Sequence, residues 1–318
     1  MFKAVFLNSE RLNFDQRLDF TPLAEVCTIT DYKDSNPEEI LARSADQEIL
    51  ITKELPMGKS IIEALPASVK LICEAGTGYN NIDLAAAAQR GIKVCNVPGY
   101  STEAVAQLAV SFMLNFASSM VLQQNMLRKG NYDNFTKHLQ VPHFELQNKT
   151  LGIIGSGTIG QQVIKLARAF GMNVLIYNRT AKHFEDSHVK QVPLEDLLSN
   201  SDFISIHCPL TADTKYLINK ESLSKMKPTA FIINTSRGPI IKETDLIEAL
   251  QNGIIAGAAL DVQDPEPPEL TNPLFFMDNV ILTPHIGWKC IESRQRLLSL
   301  LANNIKAFIE GCPINVVG

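Results

Sequence analysis

The chain has 318 residues, 45% of them hydrophobic and 20% charged, with a formal net charge of −5. A single core serves about 100–200 residues, so this length calls for two domains, and the near-average 17 glycines and 16 prolines exclude collagen-like and low-complexity chains. The mild acidity, without long charged blocks, argues against a nucleic-acid or membrane-surface protein, and no apolar run approaches the roughly 18 residues needed to span a bilayer.

Taken in chain order, the first hundred residues alternate short apolar runs with helical patterns. Lys3–Leu7, Val26–Thr30, Glu48–Thr52, Lys70–Cys73 and Ile92–Asn96 read as strands, with helices such as Pro37–Ser44 and Leu84–Arg90 between them. Strands alternating with helices imply a parallel sheet and an α/β unit. A long apolar helix is expected from Thr102 to Gly130, with Gln107 as a packing contact on it. A second α/β series then begins, with strands at Leu151–Ile154, Val174–Tyr177, Phe203–His207, Ala230–Ile233, Ala256–Leu260 and Asn279–Leu282, and the chain closes on a helix over Ile291–Glu310. The six cysteines, at 27, 73, 95, 208, 290 and 312, show no C-x-x-C spacing, so neither a metal site nor a disulfide framework is expected. With an N-terminus lacking a signal-peptide pattern, this makes a reducing, cytoplasmic compartment the expectation. His138, His143, His183 and His188 lie in polar stretches and are expected at the surface.

The segment Leu151-Gly-Ile-Ile-Gly-Ser-Gly-Thr-Ile-Gly160 carries Gly155, Gly157 and Gly160 as G-x-G-x-x-G between a strand and an amphipathic helix. In that context the motif predicts dinucleotide binding: a tight turn, a backbone that approaches a pyrophosphate, close helix–strand packing, and a helix N-terminus facing the phosphates. The next strand ends at Tyr177 and is followed by Asn178-Arg179-Thr180. Where a carboxylate would hold an adenosine 2′-hydroxyl, there is an amide, a guanidinium and a hydroxyl. Arginine matches a phosphate by charge-assisted bonds, so NADP(H) is expected over NAD(H). The plain alternative leaves Arg179 a solvated loop residue, or stacked on adenine.

Three later segments each end a predicted strand: Ile232–Gly238 with Arg237, Gly257–Pro267 with Asp261 and Glu266, and Ile281–Trp288 with His285. Together with Ala75–Asp83, Val105–Gln107, the glycine motif and His207–Leu210, in this order, they make the chain resemble the D-isomer-specific 2-hydroxyacid dehydrogenases over nearly its whole length. The resemblance implies two α/β domains with Rossmann-like and flavodoxin-like parallel sheets. The dinucleotide-binding domain, 99–285, would be inserted into a substrate domain of 1–98 plus 286–318. It also implies a homodimer, and roles for the residues. His285 would act as general acid, Glu266 would orient its imidazole, and Arg237 would hold the substrate carboxylate and polarise its carbonyl. Ala75, Gly76, Thr77 and Gly78 would offer backbone amides to that carboxylate. Thr158 and Ile159 would meet the pyrophosphate and Asp261 the nicotinamide carboxamide. His207, Cys208, Thr235, Ser236 and Gly287 would complete the cofactor contacts, with His285 itself adjoining the nicotinamide.

Tyr79, Tyr100 and Trp288 would wall a small, partly aromatic substrate pocket. Trp288 after His-Ile-Gly resembles the glycerate dehydrogenase and hydroxypyruvate or glyoxylate reductase branch, so a small 2-oxo acid is the expected substrate. D-lactate or broader 2-oxo acid reduction is the alternative within the enzymes. A dinucleotide-sensing corepressor, a binding protein resembling the same family, is the alternative outside them. The absence of a linker or polar tail favours the enzyme.

Overall fold

The computed structural model describes residues 1–182 and 184–318; His183 lies outside the described residues. Backbone contacts divide the chain into two units, one of Met1–Ser101 with Trp288–Gly318 and one of Thr102–Gly287.

The first unit is built on strands β1 (Lys3–Phe6), β2 (Thr28–Asp31), β3 (Ile49–Thr52), β4 (Leu71–Glu74) and β5 (Lys93–Cys95). They form one sheet in the order β2-β1-β3-β4-β5, with every neighbour parallel. β3 and β4 are buried at every position, as strands covered on both faces must be. The chain leaves β1 for β2 on one side and returns to β3 on the other. This reversal puts a topological switch between β1 and β3. The closing helix Ile291–Ile309 belongs to this unit, where Leu297, Leu298, Leu301 and Ile305 join Phe6, Ile49, Ile51 and Leu71 in one core.

The second unit carries β6 (Thr150–Ile154), β7 (Asn173–Tyr177), β8 (Val189–Gln191), β9 (Phe203–Ile206), β10 (Phe231–Asn234), β11 (Gly257–Leu260) and β12 (Val280–Leu282). Their order is β12-β11-β10-β9-β6-β7-β8, again parallel throughout. The switch here lies between β6 and β9. Open α/β sheets bind ligands beyond the carboxyl ends of their strands at such a point. Two parallel-sheet α/β domains are thus present, and β8 is an addition to the expected strands.

Two expectations need correction. The helix from Thr102 ends at Ser118, and a second runs over Met120–Arg128 at 60° to it. Ser119 takes a left-handed conformation at the break (φ 49°), and its hydroxyl donates to the Pro142 carbonyl at 2.6 Å. No single described helix is long and apolar enough to cross a membrane. Gln107 is exposed, because the buried positions of its helix, such as Val105, Ala106, Ala109 and Val110, define the opposite face.

Within the first unit, Arg294 is 2% exposed and fixes the closing helix to the segment after β1. Its guanidinium donates to both oxygens of Asp15, at 2.8 and 2.6 Å, and to the Leu12 carbonyl. The hydrogen bond from Arg294 holds the Asp15 carboxyl down at about 2, from an ordinary 3.8. A depressed carboxylate stabilises the fold fully above its unfolded pKa, and that contribution vanishes as pH falls through the folded value. Urea midpoints measured from neutral pH down to about pH 2 should therefore fall less steeply below about pH 4 in Asp15→Asn than in the wild type.

Candidate active site

The glycine motif sits at the switch of the second sheet. Gly155 follows β6 with φ +93°, and a side chain there would collide with the backbone of Cys208, whose N would lie 2.8 Å from the added carbon. A Cβ on Gly160 would come 2.3 Å from the Gly155 carbonyl oxygen. Both positions exclude side chains because protein already fills the space. Gly157 differs: nothing lies within 4 Å of a Cβ placed there. It is the N-cap of the helix Thr158–Ala169, which has no side-chain cap. The unspent amides of that helix start and the open space above Gly157 fit a bound pyrophosphate.

After β7, Asn178 is turned inward. Its Oδ1 accepts from the Ser156 amide at 2.7 Å and its Nδ2 donates to the Ser156 hydroxyl at 2.5 Å. Asn178 therefore shapes the glycine loop. Arg179 and Thr180 are exposed. Lys182, which sequence reasoning passed over, places its ammonium 2.7 Å from the Ser156 carbonyl oxygen and so adds a cation to the same loop. Its only sequence signal was a basic residue a few positions beyond Arg179.

At the end of β9, His207 and Cys208 adjoin β6: the His207 amide donates to Ile154 O at 2.8 Å, and the imidazole meets the Ser205 hydroxyl at 2.8 Å. Close packing around the ring lowers the His207 pKa to about 4, so it is neutral at physiological pH. Burial raises the Cys208 thiol to about 11, which leaves it unsuited to act as a nucleophile.

β10 delivers Arg237 through buried Asn234, whose Oδ1 accepts from Ser236 N at 3.0 Å and whose Nδ2 donates to Arg237 O at 2.9 Å. The Ser236 hydroxyl donates to Cys208 O at 2.5 Å, and Thr235 keeps a buried hydroxyl with no partner among the described residues. Gly238 lies so close to the next segment that a Cβ would fall 1.8 Å from the Gln263 carbonyl oxygen. The Arg237 loop is thereby pressed against the segment leading to Glu266.

β11 ends in Asp261, 1% exposed. Its carboxylate accepts from the Thr283 hydroxyl at 2.5 Å and from the amides of Ile286 and Gly287, each at 2.8 Å. Its own carbonyl accepts from His285 N at 2.9 Å. Held this way, His285 adopts a left-handed backbone (φ 51°). Its Nδ1 lies 3.3 Å from Glu266 Oε2, and both side chains are only partly exposed. One edge of a sheet thus holds an imidazole paired with a carboxylate, an arginine two strands away from it, and a dinucleotide cradle.

In the first unit the Ala75–Gly78 segment follows β4. Ala75 N donates to Thr52 O and Gly76 O accepts from Val97 N, while the amides of Gly76, Thr77 and Gly78 have no acceptor among the described residues. A row of unspent amides is suited to an anion. Trp288 is 6% exposed and Tyr100 3%, whereas Tyr79 is 36% exposed. His138, His143 and His188 are at the surface.

A glycine-loop α/β sheet with an imidazole–carboxylate pair at the same edge fits a nicotinamide-dependent oxidoreductase. Comparison with known proteins narrows this. The profile of the D-isomer specific 2-hydroxyacid dehydrogenase NAD binding domain matches residues 110–287. A hydroxypyruvate reductase of Blautia hydrogenotrophica is 39% identical over 88% of each chain, and a glyoxylate reductase of Thermococcus litoralis is 41% identical over 81% of this chain and 80% of its own. Among solved structures, an acyclic imino acid reductase in complex with NADPH and D-Arg superposes with a TM-score of 0.87 at 29% identity over both whole chains. The chain belongs to the D-isomer specific 2-hydroxyacid dehydrogenases, and it is an oxidoreductase using a nicotinamide cofactor.

The contrast between the glycines is testable without substrate. Gly160→Ala should lower the melting temperature of the cofactor-free protein by several degrees. Gly157→Ala should leave it within about a degree but weaken dinucleotide binding about tenfold or more by calorimetry.

Proposed function

We propose that the protein reduces hydroxypyruvate and glyoxylate with NADPH, with His285, Glu266 and Arg237 as its catalytic residues. The observation that carries this reading is the His285–Glu266 contact of 3.3 Å at the sheet edge that also bears Arg237. When bound, the reduced nicotinamide supplies the hydride. His285 delivers a proton to the carbonyl oxygen, and Glu266 keeps the imidazole oriented and stabilises its charged form before the transfer. Arg237, always cationic, holds the carboxylate and draws electron density towards the carbonyl oxygen. The free amides of Gly76, Thr77 and Gly78 support a role for the first unit in holding the substrate carboxylate. Thr235, with its unspent hydroxyl, Asp261, His207, Cys208, Ser236 and Gly287 are assigned to the cofactor side.

NADP(H) is preferred in this reading because Asn178 stands where a carboxylate would repel a 2′-phosphate, and Arg179, Thr180 and Lys182 follow it in the chain, with Lys182 bonded to the glycine loop. The reading includes a homodimer in a reducing, cytoplasmic compartment. Met120, Val121, Tyr132, Phe135 and Leu139 are exposed apolar residues on one stretch of the second unit, and the helix Met120–Arg128 buries none of its residues. A second copy of the chain is the occupant assigned to that stretch.

A reductase assay over hydroxypyruvate, glyoxylate, pyruvate and 2-oxoisocaproate with both reduced cofactors tests the substrate class; pyruvate outranking hydroxypyruvate about tenfold in kcat/KM would reject it. His285→Gln should cost about 100-fold or more in kcat while NADPH binding is kept. Turnover surviving within about tenfold would remove His285 from the general-acid role. Arg179→Ala with Lys182→Ala should raise the KM for NADPH about tenfold and leave that for NADH nearly unchanged.

A further inference from the structure

Glu266 stands on a segment with little backbone bonding of its own. The residues between Asp264 and Asn272 include Pro265, Pro267 and Pro268, which have no N–H to give. Among the described residues, one backbone hydrogen bond lies within this loop, from Asn272 N to Glu269 O at 3.0 Å. A carboxylate that orients an imidazole from 3.3 Å needs a firmer footing than that.

The footing comes from Glu243, the first residue of the helix Glu243–Gln251. Its Oε2 accepts from Asp264 N at 3.3 Å, and its Oε1 accepts from Asn272 Nδ2 at 2.6 Å. One carboxylate thus ties both ends of the loop to a helix. Asn272 is fixed in turn, because its Oδ1 accepts from Leu274 N at 3.0 Å and caps the turn Pro273–Phe276. That bond turns the amide so that its Nδ2 meets Glu243. The helix itself begins just behind the Arg237 loop, to which the turn Gly238–Ile240 joins it. Asn234, which holds the Arg237 backbone, and Gly238 line one small cavity with Glu243 and Gln263, so the loops of Arg237 and Glu266 converge on the same helix start. Lys242, next to Glu243 in the chain, pairs with Asp245 instead, at 2.9 Å. Every group in this set belongs to the second unit.

We propose that Glu243 is a positioning residue: by holding Asp264 and Asn272 it sets the course of the loop that carries Glu266 and keeps that carboxylate against the His285 imidazole. This rests on the reading of Glu266 and His285 as catalytic. His285 is fixed from its own side by the turn bonded to Asp261, so the freedom left in the pair is that of the Glu266 loop. A misplacement of about 1 Å can cost about 100-fold in rate. Glutamine at position 243 would keep the size of the side chain but offer one oxygen to two donors, so one end of the loop would face an NH2 group and come free.

The first measurement needs no turnover. The chain has six histidines, and in protein carrying isotope-labelled histidine the Cε1–H signal of His285 is the one lost in His285→Gln. At one fixed pH, Glu266→Gln should move that signal, and Glu243→Gln should move it in the same direction. A signal that Glu266→Gln moves and Glu243→Gln leaves in place would overturn the proposal. The second measurement is a double-mutant cycle on kcat for hydroxypyruvate with NADPH. Glu243→Gln should lower kcat about tenfold in the wild type, with the KM for NADPH within about twofold, and should cost less than about twofold in the Glu266→Gln background. A group that only steadied the helix start would cost the same in both backgrounds, and that result refutes the role. Should Glu243→Gln not fold, Asn272→Ala removes the other half of the tie, and the same pattern is required of it. A wild type that reduces no 2-oxo acid, or Glu266→Gln turning over as the wild type does, overturns the catalytic reading and this inference with it. A defect of Glu266→Gln that Glu243→Gln does not share overturns the inference alone.

Discussion

The carboxyl edge of the second unit's sheet depends on one buried carboxylate. Asp261 closes β11, and its oxygens take the hydroxyl of Thr283 and the amides of Ile286 and Gly287. A buried charge is tolerable only when such bonds replace lost water. Here they come from the turn that carries His285, so satisfying Asp261 and placing the imidazole are the same event. The left-handed backbone of His285 is a conformation that non-glycine residues avoid, and the surrounding bonds over-determine it. The same device recurs at the neighbouring strand, where buried Asn234 holds the Ser236–Arg237 backbone through both ends of its amide. The Arg237 loop and the His285 turn are thus each tied down by a buried polar residue at the carboxyl end of a strand, Asn234 of β10 and Asp261 after β11.

Charge is distributed by the same logic. The whole chain sums to −5, whereas the carboxyl side of the second sheet carries Arg179, Lys182, Arg237 and a helix start without a side-chain cap. His207, surrounded and near pKa 4, contributes no charge there.

The strands and their parallel order were legible because burial on both faces leaves near-continuous apolar runs, and a glycine fingerprint between strand and helix is a local signal. β8 was missed since Val189–Gln191 is short, and only its first residue is buried. The break at Ser119 was hidden because nothing in the apolar run from Thr102 to Gly130 is a helix breaker; the bond to Pro142 that accompanies the turn comes from far along the chain. Asp261 was expected to face the nicotinamide, yet its visible work is on the His285 turn. Lys182 was passed over because a lone lysine in a sequence reads as a solvated charge, and only the fold reveals a carbonyl beside it.

The two sheets solve the same problem with different groups. In the second unit the switch point is kept open by glycines, and the contacts crowding Gly155 and Gly160 are backbone against backbone. In the first unit the switch point is filled by Asn8, Lys53 and Glu74, all buried and tied to one another through the ends of β1, β3 and β4. Polar groups in such a place are costly to bury, and apolar residues of similar volume would often serve stability as well or better. Stability is therefore a weak account of why charge sits there. The bonds do more for geometry: Glu74 joins the start of the glycine loop to Asn81 beyond it and to the segment after β3. That bracing fixes the course of the Gly76–Gly78 backbone, whose amides have no acceptor among the described residues.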